Sequence, residues 1–172
     1  MEYHNALRIA VDVVELLKPH CERIAIAGSV RRKRPICRDI EIVTVPKPYE
    51  IGLFEDGIAS IVNRWEKVKG NLQFGKCKYT QRVLPSGIKL DLFFVEEGNF
   101  GIQYAIRTGS AYYSYKVLAC GWVKAGYHSD GGYLYRTGTR YEVREEKDLF
   151  KMIGVKYIEP ELREWLPIEE IK

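Results

Sequence analysis

Residues 24–45 read IAIAGSVRRKRPICRDIEIVTV, and this stretch decides the fold. A short apolar run over residues 24–27 ends at Gly28, which is typical of a buried strand. Polar and apolar residues then alternate over residues 39–45 and stop at Pro46, which predicts another strand. The stretch therefore predicts two strands that are separated by a Gly-Ser turn and a basic loop.

Helical and strand patterns continue on both sides of this stretch. Helices are predicted over residues 3–18, 57–65, 100–107, 110–124 and 145–153, with a short final helix beginning at Pro160. Further strands are predicted over residues 76–84, 88–95, 127–128 and 133–135. We therefore expect an α+β fold, with a mixed β-sheet flanked by helices over residues 1–98 and a small C-terminal α+β lobe over residues 99–172.

Charge is distributed unevenly along the chain. The 172 residues carry 27 Lys and Arg against 23 Asp and Glu, and the net charge of +4 does not by itself indicate a nucleic-acid-binding protein. Residues 141–172 hold nine acids and six bases, whereas residues 31–38 hold five bases and no acid. Such asymmetry suits a polyanion or a polyphosphate ligand, and a solvated basic loop is the alternative.

The composition also limits the location of the protein. No apolar run approaches the ~20 residues of a membrane span, and the N-terminus lacks the architecture of a signal peptide. We therefore expect no membrane association and a location in the cytoplasm, in the nucleoid or in a viral factory. The four cysteines form no CxxC pair, so free thiols are expected rather than a zinc site.

The Gly28-Ser29 turn is the first of three features that favour one chemistry. Glycine lets the backbone approach a ligand closely, and the N–H groups at the start of a following helix favour phosphate. The Ser29 hydroxyl can donate a hydrogen bond, and Arg31 or Arg32 can form paired hydrogen bonds with phosphate oxygens. Strand–Gly–Ser–helix turns are also common structural joints, so the turn alone does not define a site.

Carboxylates on two strands are the second and third features. Asp39 and Glu41 point to one face of their strand, roughly 6–7 Å apart, and such a pair can bridge hard divalent cations. Asp91 lies alone in the apolar run KLDLFFV over residues 89–95, where a charge must find a cation, a metal or solvent. Asp91 could be a third metal ligand and a general base. The alternatives are a solvated strand face for the pair and a salt bridge with Lys89 for Asp91.

Together these motifs resemble DNA polymerase family X, within the nucleotidyltransferase superfamily. The resemblance is carried by GSVRR at residues 28–32, DIEIV at 39–43, KLDLFF at 89–94 and RTGS at 107–110, in that order. A DGG hairpin and YIEPELRE at residues 157–164 extend it to nearly the whole chain. The chain looks like the minimal viral or phage type of the family, which lacks the N-terminal lyase domain.

The resemblance implies a template-directed DNA polymerase that acts in DNA repair, with a nucleotidyltransferase palm over residues 1–98 and a nucleotide- and DNA-contacting lobe over residues 99–172. Asp39, Glu41 and Asp91 would be the catalytic residues and would hold two Mg²⁺ ions, with Mn²⁺ as an alternative. One ion would activate a primer 3′-hydroxyl, which Asp91 would help to deprotonate. The other would neutralise the triphosphate of the incoming nucleotide, and pyrophosphate would leave.

The resemblance also implies a set of nucleotide contacts and partners. The implied nucleotide-binding residues are Gly28, Ser29, Arg32, Arg38, Arg107, Gly109, Ser110 and Ser114. The first three of these match the triphosphate-binding positions of the family, and the Thr-Gly-Ser turn passes the sugar and base. The expected partners are a dNTP and a primer–template or gapped DNA, bound by a monomer.

Two positions depart from the family pattern. Glu41 stands where the family usually has Asp, which leaves the metal preference and the rate open. Ile106 and Arg107 replace the aromatic pair that contacts the sugar, so the choice between deoxy- and ribonucleotides is open too. Arg107 would contact phosphate or template instead, or lie on the surface.

Two other functions stay open at this stage. The first is a non-templated nucleotidyltransferase that acts on RNA ends, a small molecule or a protein. The second is a DNA-end-binding scaffold whose catalysis is weakened by Glu41.

Overall fold

The computed structural model of this chain describes residues 1–48, 57–72 and 77–164. Its helices are α1 (Tyr3–Leu17), α2 (Gly28–Arg31), α3 (Ile58–Val62), α4 (Phe100–Thr108), α5 (Ala111–Tyr113), α6 (Cys120–Lys124) and α7 (Glu146–Met152). Its strands are β1 (Cys21–Ile26), β2 (Asp39–Pro46), β3 (Glu66–Gly70), β4 (Cys77–Val83), β5 (Lys89–Val95), β6 (His128–Asp130), β7 (Tyr133–Arg136) and β8 (Thr139–Tyr141). The predicted α+β class is confirmed.

The larger sheet has five strands in the order β1-β2-β5-β4-β3. In it β2 and β5 run parallel, and the other neighbouring pairs, β1–β2, β5–β4 and β4–β3, are antiparallel. The parallel register places Glu41 opposite Asp91 and Asp39 opposite Lys89. Two candidate carboxylates that are 50 positions apart in sequence therefore lie on neighbouring strands.

The two faces of this sheet differ in chemistry because side chains alternate along a strand. One face carries Ile40, Ile42, Leu90 and Leu92, which are fully buried. Helix α1 covers that face with apolar residues spaced three or four apart, which is the helical period. The opposite face begins with acids and continues with a second apolar cluster, which consists of Ala27, Val43, Val45, Phe93, Val95 and Phe100.

The C-terminal lobe has a core of its own. Helices α4 and α7 and strand β7 contribute Ile102, Leu149, Phe150 and Leu134 to this core, and all four are buried. Trp122 is also buried there. The smaller sheet, in the order β6-β7-β8, lies at the edge of this lobe.

Several predicted elements differ in detail from those observed. The helix predicted over residues 110–124 consists of α5, a π-helical stretch at Ser114–Ala119, and α6. The final short helix is a 3₁₀ turn at Pro160–Leu162. Strands β3 and β8 were not predicted. The first residue of the strand predicted over residues 76–84 lies outside the described residues.

The sequence also predicts free thiols and no membrane-spanning segment. Cys37 and Cys120 are free thiols. Within the described ranges, no helix combines the length and the apolar character that crossing a bilayer requires.

Candidate active site

The three candidate carboxylates lie on one face, at the start of the parallel strands β2 and β5. Burial and the nearby Asp91 charge raise the pKa of Asp39 above its ordinary value. Burial, followed by the charges of Asp39 and Asp91, raises the pKa of Glu41 to about 7. The three acids are therefore close enough for their charges to affect one another.

Glu41 is joined directly to the Gly-Ser turn. The Ala27 N–H donates a 2.8 Å hydrogen bond to the Glu41 carbonyl oxygen. Gly28 has a φ of +61°, and a Cβ there would lie 1.9 Å from Glu41 Oε2. Position 28 therefore requires glycine for two reasons, the left-handed backbone and the contact with the Glu41 carboxylate. The close approach predicted toward a ligand is, in this structure, an approach to a protein carboxylate.

Asp91 is held by neutral donors. Tyr79 Oη and Gln81 Nε2 each donate a 2.7 Å hydrogen bond to Asp91 Oδ1. Burial, followed by the hydrogen bond to Asp91, raises the pKa of Tyr79 well above its usual range, so the phenol keeps its proton. Among the described residues, the hydrogen-bond donors to Asp91 are Tyr79 and Gln81 and not Lys89, which argues against a salt bridge with Lys89.

Tyr79 and Gln81 are not among the site residues predicted from the sequence, although the sequence contains a signal for them. The Pro-Ser-Gly turn at residues 85–87 pairs Leu84 with Ile88 and so sets the β4–β5 register. Counting outward from that pair places Gln81 opposite Asp91. The two donors could therefore have been predicted from the hairpin, because residues opposite each other across a sheet share a face.

The three carboxylates have the right chemistry to bind a metal ion, but their side chains are not arranged to bind one in this structure. Oxygen ligands are those that Mg²⁺ and Mn²⁺ prefer, and acids that repel one another are stabilised by a cation between them. Among the residues that the structure describes, however, no three Asp, Glu, His or Cys side chains are placed to hold a metal ion. The donor set thus fits a divalent ion, and the side chains would have to adjust to bind one.

Ser29 and Arg32, both predicted to bind triphosphate, have contrasting environments. The Ser29 hydroxyl is buried and has no hydrogen-bond partner in the described part of the chain. Arg32 donates from Nε to Glu164 Oε1 at 2.6 Å and from Nη1 to the Thr108 carbonyl. The Arg32 guanidinium is therefore held by the C-terminal lobe, while Ser29 is left without an acceptor. Arg38 is exposed just before β2.

The Thr-Gly-Ser turn lies beside Arg32. Gly109 has a φ of +73°, a Cβ there would lie 2.8 Å from Arg32 Nη1, and the Gly109–Ser110 peptide bond is cis. Ser110 Oγ donates to the Arg163 carbonyl at 3.2 Å and accepts the Tyr113 N–H at 3.3 Å. The structure therefore brings the GSVRR and RTGS motifs together.

Ser114 and Arg107 complete the predicted set. Ser114 Oγ donates to the Ile106 carbonyl at 2.8 Å, so its hydroxyl joins the π-helical stretch to the end of α4 across the Thr-Gly-Ser turn. The Arg107 guanidinium lies 4.1 Å from the centroid of the Phe93 ring, and its Nε is buried without a partner among the described residues. Its charge acts to lower the pKa of Glu41. Arg107 therefore lies near the carboxylates and is not a surface arginine.

A buried ion cluster that is not predicted from the sequence joins the Gly-Ser loop to the C-terminal lobe. Glu146 accepts from Arg31 Nη2 at 2.6 Å and from Arg163 Nη1 at 2.7 Å. Burial alone would raise the pKa of Glu146, but the hydrogen bonds from the two arginines outweigh it and lower that pKa. Arg31 is thus a structural residue in this arrangement and not a free phosphate ligand.

Comparison with known proteins agrees with this geometry. Residues 104–164 match the family model of the DNA polymerase beta thumb. A solved structure of Leishmania infantum polymerase beta, a ternary P/T complex, superposes on 96% of this chain and 77% of its own with a TM-score of 0.68 and 17% sequence identity. No curated protein sequence matches the chain. The predicted resemblance to DNA polymerase family X is confirmed, and the chain has a fold similar to that of polymerase beta.

Proposed function

We propose that this chain is a template-directed DNA polymerase, which transfers a nucleotidyl group from a dNTP to a primer 3′-hydroxyl. The observation that carries the proposal is the pairing of Glu41 with Asp91 across the parallel strands β2 and β5, with Asp39 on the same face. The Gly28-Ser29 turn lies against this group, so a phosphate binder and an acidic centre are adjacent. The thumb match over residues 104–164 supports a DNA substrate.

In this proposal Asp39, Glu41 and Asp91 hold two Mg²⁺ ions, with Mn²⁺ as an alternative. Bound divalent ions neutralise phosphate charge and lower the pKa of a coordinated hydroxyl. Asp91 accepts the proton of the primer 3′-hydroxyl in this proposal. Its Oδ1 is held by two donors, so Oδ2 is the oxygen left to take up the proton. Residues 1–98 form the palm and residues 99–172 the lobe that contacts nucleotide and DNA.

Ser29 and Arg32 bind the triphosphate in this proposal. A buried hydroxyl without a partner costs about 1–3 kcal/mol of folding free energy. A hydrogen bond from Ser29 to a phosphate oxygen would remove that cost. Arg32 exchanges its contact with Glu164 for a contact with phosphate. Arg107 lies close enough to the acids to contact a phosphate near them. Gly28, Arg38, Gly109, Ser110 and Ser114 are assigned by their positions in the motifs.

The proposed partner is a primer–template or a gapped duplex, bound by a monomer during repair. The experiment is primer extension with dNTPs and either Mg²⁺ or Mn²⁺, on templated and untemplated primers in parallel. Wild-type protein should add the complementary nucleotide. Asp91→Asn should abolish extension, whereas Asp148→Asn, a change at an exposed acid that pairs with Lys151, should not.

The same experiment separates the other functions. Addition without regard to template sequence would identify a non-templated nucleotidyltransferase. Salt-sensitive DNA binding without turnover, together with activity gained by Glu41→Asp, would identify a DNA-end-binding scaffold.

A further inference from the structure

We infer that Tyr79 and Gln81 are positioning residues, which fix the carboxylate of Asp91 by one oxygen and leave the other for substrate and metal. The inference deepens the proposed function and rests on it for the role of Asp91. The two side chains belong to neither the Gly-Ser turn nor the acidic motifs. They lie on β4, the strand on the far side of β5 from β2.

The geometry of the two donors is convergent. Tyr79 Oη and Gln81 Nε2 both lie 2.7 Å from the same atom, Asp91 Oδ1. Gln81 is opposite Asp91 in the antiparallel β4–β5 register, and Tyr79 is two residues earlier on the same face of β4. Two hydrogen bonds from different directions to one oxygen fix the plane of the carboxylate.

Both donors are themselves immobilised by packing. The Tyr79 ring stacks on Phe93 with ring centroids 5.1 Å apart and planes at 23°. Phe93 also carries the Arg107 guanidinium at 4.1 Å. The Gln81 side chain is buried, so its amide has little freedom to turn away. The carboxylate is therefore held by residues whose own conformations are restricted, which is what precise positioning requires.

The second oxygen of Asp91 has a different environment. Within the described residues Oδ2 accepts no hydrogen bond, since the hydrogen bonds from Tyr79 and Gln81 both reach Oδ1. Oδ2 is consequently the atom left for a divalent ion or for the proton of a hydroxyl.

The neutrality of the two donors is part of the inference. An arginine or lysine in their place would cancel the negative charge of Asp91 and weaken its attraction for a cation. A phenol and an amide orient the carboxylate and leave its full charge in place. Tyr79 and Gln81 thus supply position without neutralisation, as hydrogen-bonding partners behind a metal ligand do.

The test uses the full chain and measures Mn²⁺ affinity from the electron paramagnetic resonance signal of free Mn²⁺. Tyr79→Phe keeps the ring that stacks on Phe93 and removes only the hydroxyl. We expect it to weaken Mn²⁺ binding about tenfold, the lower end of the range for loss of such partners. Gln81→Met removes the other donor at similar side-chain length and should have an effect of the same size. In primer extension both variants should lower kcat with the KM for dNTP unchanged.

Tyr133→Phe is the matched control. The Tyr133 hydroxyl donates a 2.7 Å hydrogen bond to Glu96 Oε2, so the same bond is lost away from the acidic centre. This variant should lower the melting temperature about as much as Tyr79→Phe does and leave Mn²⁺ affinity unchanged. A role in stability alone predicts that all three variants lose stability and none loses Mn²⁺ affinity.

Two outcomes keep this inference distinct from the proposed function. Weaker Mn²⁺ binding by Tyr79→Phe in a protein that extends no primer would support the positioning role and reject the polymerase. Normal Mn²⁺ binding by Tyr79→Phe and Gln81→Met in a protein that extends primers would reject the positioning role and keep the polymerase. Wild-type protein that binds no Mn²⁺ would also reject the positioning role.

Discussion

Arg32 and Glu164 form an ion pair with 2.6 Å between Nε and Oε1, and both side chains are largely buried. The pair joins the Gly-Ser loop to the C-terminal segment. Neighbouring Lys33 pairs with Glu161 in the same way at 2.7 Å, but its side chain is 61% exposed. The basic loop that the sequence assigns to phosphate is thus paired with carboxylates of the same chain, and the Arg32 pair is sheltered from solvent whereas the Lys33 pair is not.

The first prediction concerns competition at Arg32. Glu164→Gln should tighten the binding of inorganic tripolyphosphate about tenfold. In the wild type the anion must displace the charged hydrogen bond between Arg32 and Glu164, which contributes about 1.5 kcal/mol. Isothermal titration calorimetry at moderate salt measures the change. Glu161→Gln is the control, since its exposed partner Lys33 is already solvated and little change is expected. Equal affinities for wild type and Glu164→Gln would show that the pair does not compete.

The second prediction concerns the contact between Gly28 and Glu41. An alanine in the left-handed backbone conformation costs about 1–2 kcal/mol. Gly28→Ala should lower the free energy of unfolding by more than this, because the new Cβ would also lie 1.9 Å from Glu41 Oε2. Primer extension should fall because Glu41 is displaced. Gly87→Ala is the matched control, because Gly87 has a φ of +81° and nothing within 4 Å of its Cβ position. Urea unfolding of both variants separates the backbone cost from the clash.

The sequence is most informative where burial is one-sided. Residues 39–45 alternate because Ile40 and Ile42 are buried against α1 while Asp39 and Glu41 lie on the other face, and β2 is predicted correctly. Strand β3, with the sequence EKVKG, is an exposed edge strand on both faces. It has no buried side to produce alternation, so its pattern does not distinguish a strand from a loop.

The candidate site likewise contains residues that the sequence identifies and residues that it does not. Asp39, Glu41 and Asp91 can be identified because carboxylates in or beside apolar strand positions are conspicuous. The pairing of Arg31 with Glu146 cannot, because 115 residues separate them and only the packing of the lobe brings them together. From the sequence, Arg31 in a basic loop looks like a residue that binds phosphate. The structure shows instead that it pairs with the buried Glu146.

The third prediction concerns the Ser29 hydroxyl. Ser29→Ala should leave the free energy of unfolding unchanged or raise it by about 1 kcal/mol, because it removes a buried polar group that no described residue satisfies. The same variant should bind dNTP more weakly, since the proposed phosphate contact is lost. Ser60→Ala, which removes a hydroxyl that donates to the Gly57 carbonyl at 2.8 Å, should instead destabilise by about 1 kcal/mol. A Ser29→Ala variant as destabilised as Ser60→Ala would show that the hydroxyl is already satisfied.

The fourth prediction concerns the pH dependence of stability at Glu146. Its pKa in the folded protein lies below the ordinary value of 4.5, so its ionised form stabilises the fold. That contribution is complete above about pH 4.5 and is lost as pH falls through the lowered pKa, where the folded protein also takes up the proton. Glu146→Gln leaves two buried arginines without a counter-charge, and we expect it to cost about 3–5 kcal/mol at pH 7.

Urea unfolding of wild type and Glu146→Gln at pH 7, 5, 4 and 3 tests this expectation. The difference between the two proteins should be constant from pH 7 to pH 5 and should shrink below that, because the unfolded wild-type chain then takes up a proton that the folded protein binds only at lower pH. Lys151, which pairs with the exposed Asp148, supplies the control. Asp148→Asn should change stability by less than about 1 kcal/mol at any of these pH values. A difference for Glu146→Gln that stays constant down to pH 3 would mean that the folded and unfolded proteins take up the proton over the same pH range, so that folding does not lower the pKa of Glu146.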